Sequence, residues 1–374
     1  MKVTRKIQDI RLSIRKISDM ASAVPGCIRF DIGQPDFRTP KNIQDAAIKA
    51  IKDGSHGYTP VVGIPPLRQA VADYEKTKGF EVTKENIMIT TGGMGAIFTT
   101  LLGFLEPGDE IIFPDPTWPP YKLMAKSVGG VPRLVPYFNA GGSLDTGAIE
   151  KAITPKTKFL LVNTPENPTG RIIEKKELKA IAQIAEDKNI MIISDEVYDR
   201  ILFDGNTHTS IRRYAPDNTI IINSVSKTYA MTGWRLGWLV AEKDIVSQLL
   251  KCNRASVACP NTISQYAALE ALTGPEDSVK KMVAEYQERK DLIAKMMDSM
   301  GWDYILPRGA LYTFPKACKD SWKYSTDLIQ KAKVSVVPGL PCGPKSEGHL
   351  RFCFGSANTE QIKEGFERIQ KFES

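Results

Sequence analysis

The chain has 374 residues, of which 42% are hydrophobic and 25% are charged. This composition is typical of a globular protein, and the length suits two domains or one large domain with a smaller partner. No apolar run is long enough to cross a bilayer, so a membrane span is excluded. The formal net charge of +7 comes from Lys and Arg interleaved with Asp and Glu. This pattern argues against nucleic acid as a partner and favours anionic small molecules.

The N-terminal segment MKVTRKIQDIRLSIRKISDMA alternates charged residues with Ile and Leu at helical spacing. It lacks the continuous apolar core of a secretory signal and predicts a helical arm of a cytoplasmic protein. The six cysteines form no CxxC pair, and the chain has three histidines. The pattern therefore indicates neither a zinc site nor a disulfide framework, and we expect buried free thiols and no metal.

Seven apolar runs predict strands, with helical segments between several of them. In chain order they are NIMITT, DEIIFPDP, VPRLVPY, KFLLVN, NIMIISDE, TIIINS and WRLGWLVAE. The segment KKELKAIAQIAEDKN has helical periodicity. Strands that alternate with helices predict a mostly parallel sheet flanked by helices on both faces. Ligands of such sheets bind at the carboxyl ends of the strands.

The pattern changes after residue 275, where PEDSVKKMVAEYQERKDLIAKMMDSMG predicts one long helix. Short strands are predicted beyond it in YILPRGALYTFP, VSVVPG and HLRFCFG. We therefore predict an α/β protein with a large domain over residues 41–280 and a smaller α+β domain over residues 281–374. Residues 1–40 are predicted to form the N-terminal arm and part of the small domain.

Polar residues and glycines follow five of the predicted strands. They are Gly92 to Gly95 after NIMITT, Asp115 to Trp118 after DEIIFP, Thr164 to Gly170 after KFLLVN, Asp195 and Tyr198 after MIIS, and Ser224, Ser226 and Lys227 after TIIIN. Each motif alone has a simpler explanation. The glycines could form a turn, Asp195 could cap a helix, and Trp118 could belong to the core. Their convergence on one sheet edge favours a binding site.

Eight motifs occur along this chain, in the order DIGQPDF, GYTPVVGIPPLR, TTGGMGA, PDPTW, NTPENPTG, SDEVY, SVSKTYAMTGWRLGW and RFCFG. In order and spacing they resemble the class I and II aminotransferase family, the pyridoxal-phosphate-dependent enzymes of fold type I. The resemblance covers nearly the whole chain. It implies an enzyme that exchanges an amino group between an α-amino acid and 2-oxoglutarate.

The resemblance implies pyridoxal 5′-phosphate as cofactor and a role for each strand-end residue. Lys227 forms a Schiff base with the cofactor aldehyde and then moves the substrate Cα proton. Asp195 keeps the pyridine nitrogen protonated, and Arg235 anchors the phosphate. The other implied contacts are Ser224, Ser226, Gly93 and Met94 at the phosphate, Asn167 and catalytic Tyr198 at the ring 3-oxygen, and Trp118 on the ring face.

On the substrate side, the resemblance implies that Arg351 binds the α-carboxylate as a bidentate pair, together with Gly33 and Asn167. Arg351 follows a predicted short strand and could otherwise be a surface arginine. Tyr58 resembles the tyrosine that reaches the phosphate in a neighbouring subunit, which implies a homodimer with shared sites. A buried core tyrosine is the alternative at that position.

Two other functions compete with transamination. A carbon–sulfur lyase or an enzyme like aminocyclopropane-carboxylate synthase would use the same fold, cofactor and residues. A regulator that uses the fold to bind an effector would need a DNA-binding domain, for which the residues before Ile32 leave no room. The wording of YAMTGWRLGW and PDPTW favours the aminotransferase branch. Aspartate is the first expected donor and an aromatic amino acid the second.

Overall fold

The computed structural model describes residues 13–140 and 142–374. The helices are α1 Ser13–Ser22, α2 Lys41–Lys52, α3 Pro65–Lys76, α4 Gly92–Phe104, α5 Pro119–Ser127, α6 Thr146–Ala152, α7 Lys175–Asp187, α8 Lys243–Val257, α9 Thr262–Thr273, α10 Asp277–Ser299, α11 Ser321–Asp327 and α12 Thr359–Glu373. The strands are β1 Ile28–Arg29, β2 Ile87–Thr90, β3 Glu110–Pro114, β4 Val131–Val135, β5 Thr157–Asn163, β6 Met191–Asp195, β7 Thr219–Ser224, β8 Gly237–Val240, β9 Tyr312–Thr313, β10 Val334–Ser335, β11 Val337–Pro338 and β12 Leu350–Cys353. The predicted arm over residues 1–12 lies outside the described residues.

The seven predicted apolar runs form one sheet in the order β2-β8-β7-β6-β5-β3-β4. The strands from β7 to β4 are parallel to their neighbours, and β8 pairs antiparallel with both β2 and β7. As a result β2 runs in the same direction as the parallel strands. The prediction of a mostly parallel sheet is confirmed.

The central strands are apolar on both faces because helices cover both sides of the sheet. On one face Phe113, Phe159 and Ile193 pack with residues of α4, α5 and α8. On the other, the alternate residues Ile112 and Leu160 pack with residues of α6 and α7. The sheet is therefore a rigid platform whose carboxyl edge is free for a site.

The C-terminal third builds a second, smaller layer. Strands β11, β12 and β9 form an antiparallel sheet, and β1 pairs in parallel with β10. Phe352 of β12 packs between Phe30 and Phe366, with ring centroids 5.6 Å from each. Strand β1 of the N-terminal part thus pairs with a strand of the C-terminal layer. The domain boundaries stay a prediction.

Helix α1 lies against this smaller layer, where Ile17 and Ala21 pack on Ile329. After α1 in the chain, Arg29 forms an ion pair with Asp31, with 2.7 Å between Nε and Oδ1. Asp31 also accepts a hydrogen bond from Ser335 of β10. These contacts fix the segment that leads from α1 into the loop at Gly33.

Three predictions concern features outside the sheet. No helix among the described residues is long and apolar enough to span a membrane. Over the same residues, no group of three or more His, Cys, Asp or Glu side chains is arranged to hold a metal ion. All six cysteines are free, but only Cys342 and Cys353 are buried. The expectation of uniformly buried thiols is wrong because the other four lie at partly exposed positions.

Candidate active site

Polar residues converge at the carboxyl edge of the large sheet, where β3, β5, β6 and β7 end side by side and β2 ends beyond β8. A cavity of about 400 Å³ opens between this edge and the smaller layer. It is lined by every predicted site residue except Tyr58, namely Gly33, Gly93, Met94, Trp118, Asn167, Asp195, Tyr198, Ser224, Ser226, Lys227, Arg235 and Arg351. The sheet topology accounts for this convergence, because parallel strands place their carboxyl ends together.

Lys227 lies in the turn that follows β7, and its ammonium projects into the cavity. Its Nζ donates a hydrogen bond to the carbonyl oxygen of Gly33 at 2.6 Å. Burial lowers the pKa of Lys227 to about 8, with the positive charges of Arg351 and Arg235 acting in the same direction. The side chain is therefore partly in the neutral form of an amine nucleophile near neutral pH.

Asp195 ends β6 and is 4% exposed. Its Oδ2 accepts a hydrogen bond from the Tyr121 hydroxyl at 2.6 Å, and its Oδ1 accepts a longer one from the backbone of Val197. Burial raises the pKa of Asp195 to about 6, and the hydrogen bond from Tyr121 opposes that rise. A protonated nitrogen placed against this carboxylate would offset the cost of burying its charge.

Arg235 follows the short helical turn at Thr232–Trp234 and has a left-handed backbone with φ of 51°. Its Nη1 donates to the carbonyl of Thr232 at 2.7 Å. The guanidinium lies so close to Gly92 that a Cβ there would be 2.8 Å from Nη2. Gly92 itself has φ of 71°, which favours glycine. The tight turn at the start of α4 thus brings backbone N–H groups and a guanidinium to the same end of the cavity.

Arg351 lies within β12 rather than after a strand, and it is only 4% exposed. The surface interpretation is therefore wrong. Its Nη1 donates to Oδ1 of Asn167 at 3.2 Å, and its Nη2 donates to the carbonyl of Asp31 at 3.0 Å. The guanidinium also lies 4.8 Å from the ring centroid of Tyr312. Its Nε is buried without a hydrogen-bond partner among the described residues, so an anion in the cavity would satisfy a polar group there.

Tyr312 is a cavity residue that the sequence did not reveal. Its hydroxyl is 2.8 Å from that of Tyr198, and a Cβ at Gly33 would lie 2.8 Å from the same oxygen. Tyr121 was missed as well, although it stands three residues after Trp118 in a segment already assigned to the site. No local signal marks Tyr312, because RGALYTFP reads as an ordinary strand.

Tyr58 stands apart from the cavity and is 93% exposed. The alternative of a buried core tyrosine is therefore wrong. It follows Gly57, whose carbonyl accepts a hydrogen bond from Thr262 of α9. Other large apolar residues exposed on α2 and α9 are Ile48, Ile51 and Tyr266.

The fold and the cavity define an α/β protein with a lysine, a buried carboxylate and two guanidiniums at the carboxyl edge of its large sheet. Comparison with known proteins identifies the family. The model for aminotransferase class I and II matches residues 25–369. The chain belongs to the class I and II aminotransferase family, and the resemblance stated from its motifs is confirmed.

Several relatives match over nearly the full length. A probable N-acetyl-LL-diaminopimelate aminotransferase of Bacillus subtilis is 39% identical, with 98% of this chain and 94% of the relative covered. An aspartate aminotransferase of Pyrococcus horikoshii is 38% identical, with 96% and 94% covered. The solved structure of Thermus thermophilus aspartate aminotransferase with maleate superimposes with a TM-score of 0.93 at 32% identity, covering 99% of both chains. The expectation of an aminotransferase is confirmed, and the lyase alternative is not favoured.

Proposed function

We propose that this chain is a pyridoxal 5′-phosphate-dependent aminotransferase that exchanges the amino group of aspartate with 2-oxoglutarate. The proposal depends on one observation above all. A single cavity is lined by a lysine with a lowered pKa, a buried carboxylate and two guanidiniums. These groups belong to Lys227, Asp195, Arg235 and Arg351. Each of these groups matches one end of the cofactor or of an amino-acid substrate.

The residues at the Arg235 end of the cavity suit the cofactor phosphate. A guanidinium, the hydroxyls of Ser224 and Ser226, and the N-terminus of α4 at Gly93 all lie there. Because helix N-termini and guanidiniums both favour anions, this end would hold a phosphate dianion. The close approach of Gly237 to the backbone of Gly92 and Gly93 keeps the turn compact, since a Cβ at Gly237 would lie 2.7–2.8 Å from it.

The opposite end suits the ring. Asp195 would hold a protonated ring nitrogen, and Tyr121 would keep its carboxylate in place through the 2.6 Å hydrogen bond. Trp118, Asn167 and Tyr198 would contact the ring face and its oxygen. When bound, pyridoxal 5′-phosphate supplies an aldehyde that binds amines and a ring that withdraws electrons from the substrate Cα.

Lys227 would serve as the base of the reaction. Its lowered pKa leaves a share of the amine neutral near pH 7, so Nζ can remove the proton from the substrate Cα and return it. Arg351 would bind the α-carboxylate, and its unpartnered Nε and the adjacent Gly33 loop support that role. A donor and an acceptor would use the same arginine because both have this carboxylate.

Arg15 on α1 supports a dicarboxylic substrate. It lines the same cavity as Arg351, together with Ile14 and Ser18. Its side chain is 78% exposed, and its Nε lies 3.7 Å from Asp19, an ion pair too long and exposed to hold it firmly. A second substrate carboxylate would find this guanidinium at the cavity mouth. The apolar lining at Ile14, Ile32 and Ile97 favours an aromatic donor as the second candidate.

The proposal includes a homodimer in which Tyr58 reaches the neighbouring site. Its exposed ring, outside the cavity of its own chain, supports this role. The exposed apolar residues of α2 and α9 support an interface on the same face, because such patches mark association surfaces.

The chemistry can be tested on the purified protein loaded with pyridoxal 5′-phosphate. Borohydride reduction followed by peptide mass spectrometry should find the pyridoxyl group on the peptide containing Lys227. The group on another lysine would contradict the assignment. A donor panel of aspartate, phenylalanine, tyrosine and N-acetyl-LL-diaminopimelate with 2-oxoglutarate should rank aspartate first.

The same panel tests Arg15. Arg15→Ala should lower kcat/KM for aspartate and 2-oxoglutarate by roughly tenfold or more, since a hydrogen bond to a charged group is lost. Values for aromatic donors in the half-reaction should stay unchanged. Lys16→Ala is the matched control, because Lys16 is an exposed cation on the same helix that does not line the cavity. An equal loss for all donors would exclude Arg15 from side-chain recognition.

A further inference from the structure

The turn at residues 195–199, which follows β6, has side chains on two opposite sides. Asp195 and Tyr198 line the cavity. Glu196 and Asp199 do not line it, and they are 0% and 5% exposed. The same short segment therefore presents two side chains to the site and buries two carboxylates behind it.

Behind the turn, one lysine contacts three carboxylates. The Lys78 ammonium lies 2.7 Å from Oδ2 of Asp199, 3.0 Å from Oε2 of Glu196 and 3.0 Å from Oε2 of Glu75. The four side chains, here called the Lys78 cluster, are between 0% and 8% exposed. Removing one partner from such a buried ionic group leaves a buried charge without compensation. The position of each side chain in the cluster therefore depends on the others.

The cluster is also connected to the large sheet. Oδ2 of Asp199 accepts hydrogen bonds from the Tyr74 hydroxyl at 2.6 Å and from Nδ2 of Asn223 at 2.8 Å. Asn223 is in β7, directly before Ser224 of the cavity. Glu75 accepts a hydrogen bond from Nε1 of Trp238 in β8 at 2.9 Å. Asp199 thus joins the turn to α3 and β7, whereas Glu75 joins α3 to β8 and does not touch the turn.

Glu196 is held by several donors at once. Its Oε1 accepts hydrogen bonds from the hydroxyls of Ser194 and Ser210, and its Oε2 lies 2.9 Å from Nε2 of His208. Burial alone would raise the pKa of Glu196, but Lys78 and His208 hold it well below its usual range. Burial and the nearby carboxylates of Glu196 and Asp199 raise the pKa of Glu75.

We propose that Lys78 and Asp199 are positioning residues, which hold the turn at residues 195–199 so that Asp195 and Tyr198 keep their places in the cavity. This inference rests on the proposed function, for which both cavity residues are needed. When the contact between Lys78 and Asp199 is lost, the turn moves as a unit, and the Asp195 carboxylate and the Tyr198 hydroxyl move with it. A misplacement of about 1 Å at such groups costs on the order of 10²-fold in rate.

Two matched substitutions separate positioning from simple stabilisation. Asp199→Asn and Glu75→Gln each replace one carboxylate of the same ammonium by an amide of the same shape. Only Asp199 belongs to the turn. Asp199→Asn should lower kcat on the order of 10²-fold with little change in KM, because Arg351 and the Gly33 loop are untouched. Glu75→Gln should leave kcat close to that of the unmodified chain.

Cofactor affinity and crystal structures give readouts besides turnover. Pyridoxal 5′-phosphate binding, followed by quenching of tryptophan fluorescence, should weaken in Asp199→Asn and not in Glu75→Gln. In crystals, Asp199→Asn should break the 2.8 Å contact between the Tyr198 and Tyr312 hydroxyls, and Glu75→Gln should keep it. These structures decide the inference even if the unmodified chain fails to transaminate, an outcome that would sink the proposed function alone.

Equal effects of the two substitutions, or an undisturbed turn in Asp199→Asn, would overturn the inference and reduce the Lys78 cluster to a stabilising element. If Asp199→Asn does not fold, Tyr74→Phe takes its place, because it removes only one hydrogen bond from the same Asp199 oxygen. It should lower kcat several-fold at unchanged KM. An unchanged kcat in Tyr74→Phe would count against the inference.

Discussion

The two sides of the cavity are built in different ways. On the side of the large sheet, Asp195 and Ser224 end the neighbouring strands β6 and β7, and Lys227 follows within three residues. On the other side, Arg351 meets Asn167 and Asp31, which are 184 and 320 residues away in the chain. The residues of the first side come from neighbouring strands of one backbone ladder, whereas Arg351 belongs to a strand of the smaller sheet and meets Asn167 and Asp31 through hydrogen bonds of its side chain.

This difference has a consequence for substitutions. Truncating a cavity side chain on the sheet side should remove a chemical group and leave the architecture intact, because the backbone ladder of the strands does not depend on that side chain. Changes on the Arg351 side should also alter how the smaller layer meets the sheet. Each of the following measurements can strengthen or contradict that comparison, from the largest expected effect to the smallest.

Lys227→Ala should have the largest effect. It removes the amine that binds the cofactor and the base at the substrate Cα, and loss of a general base alone costs on the order of 10²–10⁴-fold. The midpoint of thermal unfolding of the unloaded chain should stay close to its original value, because one hydrogen bond to Gly33 is lost. A large drop in that midpoint would contradict the view that the sheet side is architecturally independent.

Arg351→Ala should follow. Truncating one partner of a buried charge pair costs about 2–5 kcal/mol, so kcat/KM should fall together for the donor and for 2-oxoglutarate. Arg351→Lys keeps the charge but loses the planar fork, and it should also be impaired. The hydrogen bonds to Asn167 and Asp31 are lost as well, so the alanine variant should unfold at lower temperature than Lys227→Ala. Loss with only one substrate would remove Arg351 from α-carboxylate binding.

Gly33→Ala should raise KM, because the new Cβ would lie 2.8 Å from the Tyr312 hydroxyl and force the loop or the ring to move. Overpacking of this kind costs roughly 1–3 kcal/mol in a packed site. KM should rise more than kcat falls. Gly57→Ala is the control, since a Cβ at Gly57 meets nothing within 4 Å. Steady-state kinetics of both variants measure the two KM values. Equal values would show that the Gly33 loop can accept a Cβ without displacing Tyr312.

The pH dependence of aldehyde binding should report the amine of Lys227. Because burial lowers its pKa to about 8, the reactive neutral form increases as pH rises through that value. Cofactor binding by the unloaded chain should therefore become about tenfold faster between pH 7 and pH 9. Stopped-flow absorbance measures this rate, and Lys227→Ala should abolish the signal. If the midpoint of this rate–pH curve lies at the ordinary pKa of lysine, the Lys227 amine is not desolvated.

Tyr58→Phe should have the smallest effect. If the hydroxyl contacts the phosphate in the neighbouring subunit, its removal should weaken cofactor binding by about 0.5–1.5 kcal/mol. Equilibrium dialysis of the cofactor measures this change. Tyr214→Phe, which removes the hydroxyl of a partly exposed tyrosine outside the cavity, should bind the cofactor normally. Sedimentation showing a fully active monomer would refute the shared site.

Sequence patterns predicted that polar residues at the ends of several strands would meet at one sheet edge, and the cavity lies there. Apolar runs bounded by polar residues identified all seven strands of the large sheet. Residues at the carboxyl ends of parallel strands lie at the same sheet edge, so the strand direction alone brings them together. The roles of Lys227, Asp195 and Arg235 are implied by the family resemblance of the motifs that contain them, and they stay predictions. The motifs also gave the family, which the comparisons confirmed.

The rest was decided by tertiary structure. Arg351 could have been a surface residue because RFCFG does not specify what covers it, and in the fold its guanidinium is buried in contact with Tyr312, Asn167 and Asp31. The roles of Tyr121 and of the Lys78 cluster also depend on contacts between distant segments. A periodic pattern records which face of an element is buried, but not which distant side chain lies against it. For that physical reason the sequence by itself determined the strands and the residues at their ends, and the tertiary structure alone decided what lies against them.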